Sequence, residues 1–591
     1  MFKLFKTLRL KDYLSMLICS GLIVFQVWLE IEISKSTIAI SNLLIVEGTP
    51  VSDIWREGLL MLGCTLGSVA SAIASSFVIS RLATSFSMRL RANVFCKIER
   101  FSLEQIKSFS TSSLITRTTN DIFHIQQFFA MGLQAIIKAP ITAIWAILEM
   151  SSRNWQCSIA TGIAVAIIIS TISIVMSLAL PKFKKMQKLT DNINKVTREN
   201  LEGIRVVRAY NAENFESQKF EKANSELTKT GLFSSRVMSA ISPVMTFVTS
   251  TLSLSIYWIG AVLISQIPQV NIALRSSTLA DVMGFSSFAM QVVMSFTMLT
   301  MIFIMMPRAT VSAKRINEVL NTPLTIIDGS FNGTTQTQGQ LVFDNVSFKY
   351  PDADEYVIED VSFTANKGET VAFIGSTGSG KSTLINLIPR FYDVSKGNIL
   401  IDGINIKDYK LECLRNKLGY ISQKAVMFSG SVIENLTFGE NGKPEQTEEE
   451  LNNALKIACG FDFVEKMPEG KNSYIAEGGT NVSGGQKQRL SIARALARKP
   501  EFLIFDDSFS ALDYKTDKKL RKNLDKHLKD TTRLVVAQRI GTIKDADLIV
   551  VLDEGKVVGK GSHKQLMETC SVYKEIALSQ LSKEELENVS N

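Results

Sequence analysis

Residues Gly375, Ser376, Thr377, Gly378, Ser379, Gly380, Lys381 and Ser382 follow the pattern G-x-x-x-x-G-K-S, whose chemistry is the cradling of nucleotide phosphates. Glycines let backbone N–H groups close around phosphate oxygens, and Lys381 adds a positive point charge. The Ser382 hydroxyl is placed for Mg2+, and Thr383 completes the phosphate-binding set. Further on, the apolar run Phe502–Asp506 ends in a carboxylate, the usual second part of such a site. Asp506 is expected to hold Mg2+ through its water shell, and Asp507 follows it directly. Between the two lie Ser483, Gly484, Gly485 and Gln486, a turn that opens a helix and makes a second anion cradle. One triphosphate does not need two cradles from one chain, so this second one points to a nucleotide held by another molecule. ATP and Mg2+ are therefore the expected cofactors.

The phosphate loop needs a strand before it and a helix after it. The apolar run Thr370–Ile374 supplies the first, and the stretch from Ser382 supplies the second. Strand-like runs at 341–348, 503–505, 534–536 and 548–552 alternate with helical stretches, which predicts an α/β domain carrying a parallel sheet. Residues 1–310 differ sharply in composition. Six apolar spans fall near 13–33, 55–80, 132–150, 155–180, 242–267 and 278–306, and about 20 such residues suffice to cross a bilayer. Glu30 and Lys138 weaken the first and third spans. The connections 81–131 and 181–241 are basic and keep a helical pattern, with reversals expected at Phe109–Ser113 and Tyr210–Glu213.

Lys3, Lys6, Arg9 and Lys11 join these basic connections on one side, against Lys35, Arg153 and Arg275 on the other. The excess of Lys and Arg predicts a cytoplasmic N-terminus and a cytoplasmic C-terminal domain, in a multi-pass cell-membrane protein. The net charge of +8 is explained by this topology, and nucleic acid is not an expected partner. The first span reads as a retained anchor, and a peptidase domain ahead of Tyr13 is not expected. The seven cysteines contain no C-x-x-C pair, so neither a disulfide framework nor a zinc site is expected.

With these motifs in place, the whole chain resembles an ATP-binding-cassette (ABC) exporter half. The resemblance rests on the phosphate loop, on the Ser483–Gln486 string with Val482 before it, and on Asp506. It extends to Tyr350 at the adenine-stacking position, Gln423 after Tyr420-Ile421-Ser422, and Asp513 in the dimer-contacting loop. Residues 109–117 and 202–210 resemble the family's cytoplasmic coupling segments. It implies a membrane all-α six-helix exporter domain at 1–320, a linker at 321–340, and an α/β phosphate-loop nucleotide-binding domain at 341–591. Two halves then pair, sandwich ATP between the phosphate loop of one and the signature of the other, and close to expose the cavity outward. The resemblance makes Gln423 a Mg2+ ligand and places it with the catalytic positions.

Two positions depart from the family pattern. Asp507 stands where the family has Glu, and Gln538 where it has His. Asp507 is one methylene shorter, so its carboxylate sits back by about 1–1.5 Å, and a misplacement of that order costs about a hundredfold in rate. Gln538 can donate to a γ-phosphate but cannot titrate near neutral pH. Both changes in one chain resemble the degenerate half of heterodimeric multidrug exporters. The expected partner is a second ABC exporter half, whose catalytic site this chain's signature completes. A homodimer with slow hydrolysis and a nucleotide-sensing regulatory subunit that transports nothing are the alternatives.

Met283, Met290, Met294, Met298, Met301 and Met305 recur at helical spacing in the sixth span. Such a face suits promiscuous apolar ligands, or else packs against helices or membrane lipid. Lys138 and Glu149 either face a cavity or snorkel to the interface. The expected substrate is a small amphipathic molecule: a drug, a lipid or a small peptide.

Overall fold

The computed structural model of the chain describes residues 8–45, 49–333, 335 and 337–580. Lys3, Lys6, linker positions 334 and 336, and residues 581–591 of the expected C-terminal domain lie outside the described residues. The chain forms two compact units. One comprises Met1–Arg100 and Phe109–Pro323, the other Phe101–Ser108 and Leu324–Asn591.

The first unit is helical. Its helices begin with α1 (Leu10–Ile45) and α2 (Val51–Glu99), followed by the short α3 (Leu103–Phe109), most of which falls in the second unit, and α4 (Thr111–Thr118). Then come α5 (Asn120–Arg153), α6 (Trp155–Glu202), α7 (Ile204–Ala209), α8 (Glu213–Ser239), α9 (Ile241–Gln266) and α10 (Ile272–Asn321). Among the described residues, six helical stretches are long and apolar enough to cross a membrane, as the composition predicted. Helices are the natural choice because a bilayer offers no water to satisfy backbone groups. They run through Pro140, Pro181 and Pro307, a residue that helices packed in a membrane bundle tolerate. The basic connections are helical too, with reversals between Glu99 and Asn120 and between Glu202 and Glu213.

Glycine sets the closest approaches in this unit. A Cβ at Gly284 of α10 would lie 2.2 Å from Ile38 of α1, and one at Gly260 of α9 only 2.4 Å from Val282 of α10. Van der Waals contact is the main attraction between helices in lipid, so such small residues determine which faces meet.

The charges that weakened the first and third spans turn out to be partners. Lys138 Nζ lies 2.7 Å from Glu30 Oε1, so two apparent flaws in the hydropathy form one ion pair between α1 and α5. Glu149 pairs with Lys35 at 2.7 Å. Both charges therefore have a partner within the helical unit.

The second unit contains a six-stranded and a four-stranded sheet. Its strands are β1 (Leu341–Phe348), β2 (Ile358–Ala365), β3 (Thr370–Gly375), β4 (Lys396–Ile401), β5 (Ile404–Asn405) and β6 (Leu418–Ile421). They continue with β7 (Gly430–Ser431), β8 (Tyr474–Ile475), β9 (Phe502–Asp506), β10 (Thr532–Val536), β11 (Leu548–Asp553) and β12 (Lys556–Gly561). The larger sheet has the order β12-β11-β3-β10-β9-β6 and is parallel except for the edge strand β12. The smaller sheet, β2-β1-β4-β5, is antiparallel. The sequence pattern gave no means of assigning β1 to a separate sheet. Its run is apolar like the others, and pairing choice is a long-range property. Phe343, Phe373 and Phe502 are fully buried in the core that the two sheets share, and Phe505 is fully buried on the other face of the larger sheet, against helices.

Candidate functional site

The order β3-β10-β9 puts three parallel strands side by side, with Phe373, Val536 and Asp506 in register. Their carboxyl ends therefore open onto one edge, where ligands of parallel α/β sheets gather. The chain leaves β3 into the phosphate loop, leaves β9 at Asp507, and leaves β10 at Ala537 and Gln538. Residues from distant parts of the sequence converge for that reason.

Strand β3 ends at Gly375, and α11 (Lys381–Leu387) begins after Gly380. Gly378 and Gly380 have φ of +89° and +92°, which only glycine adopts without strain. A Cβ at Gly375 would lie 1.9 Å from the carbonyl oxygen of Leu552. Gly375→Ala is therefore expected to destabilise the second unit by about 1–3 kcal/mol, read as a lower midpoint in thermal unfolding. Lys381 Nζ donates to the carbonyls of Gly375 (2.9 Å) and Ser376 (2.6 Å) and to Ser379 Oγ (3.2 Å). The ammonium is thus held inside the curl of the loop. Burial pushes its pKa down, and the nearby Asp507 opposes that.

Ser382 Oγ donates to Asp506 Oδ1 at 2.7 Å, joining the helix start to the end of β9. The other oxygen of Asp506 accepts from Tyr420 Oη at 3.4 Å. Burial pushes the Asp506 carboxyl up, while bonds from Ser382 and Tyr420 hold it down. Among the described residues, no cluster of three or more His, Cys, Asp or Glu could hold a metal by protein ligands alone. One hydroxyl beside one carboxylate instead suits Mg2+, which keeps several waters and takes further oxygens from phosphate.

Asp507 has a left-handed backbone, φ +47°, which a short acidic side chain tolerates. Its Oδ2 accepts from Gln538 Nε2 at 2.8 Å and from Gln423 Nε2 at 3.3 Å. The two departures from the family pattern thus touch each other, and Gln423 joins them. Burial is the main cause that pushes the Asp507 carboxyl up, with a smaller push from Asp506. The Gln423 hydrogen bond opposes the rise.

Tyr350 donates or accepts across 3.1 Å to Thr383 in the first turn of α11. Its ring stands edge-on to Phe348 and Tyr392, with centroids 5.0 and 5.4 Å away. The Lys107 ammonium lies over it, 5.5 Å from the centroid. Lys107 and Tyr392 were missed in the sequence, and Lys107 carries no local signal. Tyr420 was legible in principle, lying on the apolar run just before Gln423.

Ser483 caps the helix Gly484–Ala497. Its Oγ accepts from Gln486 N (3.3 Å), and Gln486 Oε1 accepts from Ser483 N (2.8 Å). Asp513 caps the helix Tyr514–His527 by accepting from Thr516 N. Among the described residues, no hydrogen bond joins Ser483, Gly484, Gly485, Gln486 or Asp513 to the phosphate loop. Within one chain the predicted residues thus form two groups: the loop cluster with Asp506, Asp507, Gln423 and Gln538, and a separate signature turn.

Known proteins share both units. Residues 16–296 match the family described as ABC transporter transmembrane region, and residues 358–510 match that described as ABC transporter. An uncharacterized ABC transporter ATP-binding protein of Mycobacterium tuberculosis is 38% identical over 533 residues, 90% of each chain. An ATP-dependent lipid A-core flippase of Pseudomonas aeruginosa is 30% identical over 83% of this chain and 79% of its own. In fold, a bacterial Atm1-family ABC exporter with ATP bound is similar with a TM-score of 0.80. It is 24% identical and covers 97% of this chain and 98% of its own.

Proposed function

The chain belongs to the ABC transporter family, and on that premise we propose that it is the degenerate half of a heterodimeric, ATP-driven exporter of small amphipathic molecules. The observation that carries this reading is the cluster at Asp507. The carboxylate expected to orient the attacking water is short, and two amides hold it, at 2.8 and 3.3 Å. Neither amide titrates, and neither accepts a proton from water.

On this reading residues 1–320 form the membrane domain of a multi-pass cell-membrane protein, 321–340 the linker, and 341–591 the cassette on the cytoplasmic side. Gly375 to Thr383 bind the triphosphate of ATP, with Lys381 as the point charge and Tyr350 beside the adenine. Ser382, Asp506 and Gln423 hold Mg2+, which when bound offsets charge on the transferring phosphoryl group. Asp507 and Gln538 leave hydrolysis here slow. Ser483, Gly484, Gly485, Gln486 and Asp513 face the partner's nucleotide, where a site with Glu and His turns over. Closure around two ATPs switches the membrane domain outward, and hydrolysis at the partner's site resets it. An amphiphile as cargo is supported by the Met-lined helix α10 and by relatives named as lipid A-core flippases.

Purification of the tagged chain from its native membrane, with co-purifying proteins identified by mass spectrometry, tests the assembly. A second ABC half in equal amount, carrying Glu and His, is the expected result. Recovery as a homodimer would overturn the asymmetric reading and make Asp507 a working catalytic residue. Full transport by the partner without this chain would make it a regulatory subunit.

A further inference from the structure

The membrane unit carries a half-open cavity of about 540 Å3 between α1, α5, α9 and α10, within the range of small-molecule sites. One end is polar, with Glu30, Lys138 and Gln291, and one wall is a stripe of Met290, Met294 and Met298. We propose that this cavity is a binding site for a zwitterionic amphiphile, whose anionic group pairs with Lys138 and whose ammonium pairs with Glu30. The inference rests on the reading of the chain as an exporter of amphiphiles and specifies its cargo.

Charges inside a membrane are costly and persist where they are paired and face a pathway. Glu30 and Lys138 are paired but not sealed, since their side chains remain 25% and 21% exposed at the cavity wall. Glu30 Oε1 already accepts from both Lys138 (2.7 Å) and Gln26 (2.9 Å), so the second carboxylate oxygen remains for a ligand. An ammonium has three donors, of which the ion pair uses one. Gln291 Nε2 donates to Ser34 Oγ at 2.8 Å and to the Glu30 carbonyl at 3.2 Å. That fixes the amide, while its buried Oε1 has no hydrogen-bond partner. A buried acceptor in that state is unfavourable, and an N–H of the ligand that reaches it relieves the cost.

Net charge then decides the class of head group. The Glu30–Lys138 pair is itself neutral, so a purely anionic head beside Lys138 or a purely cationic head beside Glu30 leaves an uncompensated charge in the bundle. A head carrying both signs uses the spare ammonium donors and the second carboxylate oxygen together and keeps the site neutral. Its hydrocarbon chain lies against the methionines, whose flexible thioethers accommodate many chain shapes.

The test uses the full assembled transporter, as purified, in nanodiscs of anionic phosphatidylglycerol without nucleotide. Radiolabelled dodecyl phosphoethanolamine, dodecyl phosphate and dodecylammonium are compared by equilibrium binding. The zwitterion is expected to bind at least tenfold more tightly than either singly charged probe. Glu30→Gln and Lys138→Gln should each remove that preference, and Glu149→Gln, on the other ion pair, should leave it within twofold. Equal affinity of the three probes on the unmodified protein overturns the proposal without any variant. So does a preference that survives both pocket substitutions. ATP-dependent uptake of the probes into inverted vesicles separates this inference from the export reading. Uptake without head-group preference overturns the zwitterion site and keeps export. Preferential binding without uptake supports the site and overturns export.

Discussion

Asp507→Glu combined with Gln538→His is expected to raise ATP turnover at this chain's own phosphate loop by about a hundredfold. The measurement is single-turnover release of labelled phosphate from the assembled transporter, with its other ATP site disabled. In the wild type the Asp507 carboxylate is held by Gln538 at 2.8 Å and by Gln423 at 3.3 Å. The added methylene carries the carboxylate toward the loop, and His in place of Gln exchanges an amide for a group that can take up and give back a proton. An unchanged rate would show that carboxylate reach does not limit hydrolysis here. The pH profile gives a second readout. Water activation needs the ionised carboxylate, and burial raises the Asp507 pKa. Residual wild-type turnover should therefore fall, as pH drops, at a higher pH than an exposed aspartate would give. Gln538 adds no limb near neutrality, whereas the His variant should add one near pH ~6.5.

Lys381→Ala is expected to weaken ATP binding by about a hundredfold, the scale of losing one member of a buried charge pair. Fluorescent ATP-analogue titration measures it. The ammonium is buried and centred in the loop by three hydrogen bonds, so no exposed lysine nearby substitutes for it. Adenosine, which lacks phosphates, should bind the variant and the wild type within twofold. If adenosine binding fell in parallel, the loss would reflect a collapsed loop rather than a missing charge.

The sequence revealed whatever is local. The six apolar stretches are the six membrane-length helices, because a span must satisfy its backbone internally whatever its neighbours. The runs at Thr370 and Phe502 are strands β3 and β9, and the loop between Gly375 and Lys381 joins strand to helix. Pairings across long separations were illegible. Glu30 and Lys138 looked like defects in two separate spans, and only the packing of α1 on α5 makes them one ion pair. Gln423, Asp507 and Gln538 were picked out one by one. Their convergence depends on strand order, since β6, β9 and β10 are neighbours in the sheet although far apart in the chain. The same holds for Lys107, which is separated from its partner Tyr350 in sequence by residues 109–323 of the membrane unit.

Segment 101–108 lies in the sequence among membrane helices, yet it belongs to the second compact unit. There Ser102 Oγ accepts from Thr325 Oγ1 at 2.8 Å, Phe101 is buried, and Lys107 covers Tyr350. Synthesis runs from the N-terminus, so this piece of the second unit leaves the ribosome before most of the helical unit exists. It must wait, tethered between α2 and α4, until residues 324 onward emerge to receive it. A gene fragment starting at residue 324 therefore encodes a second unit with a missing piece, and supplying residues 101–108 as a separate peptide should restore it. Birth order thus becomes a checkpoint: the cassette can finish folding only on a chain whose first membrane hairpin has already been made.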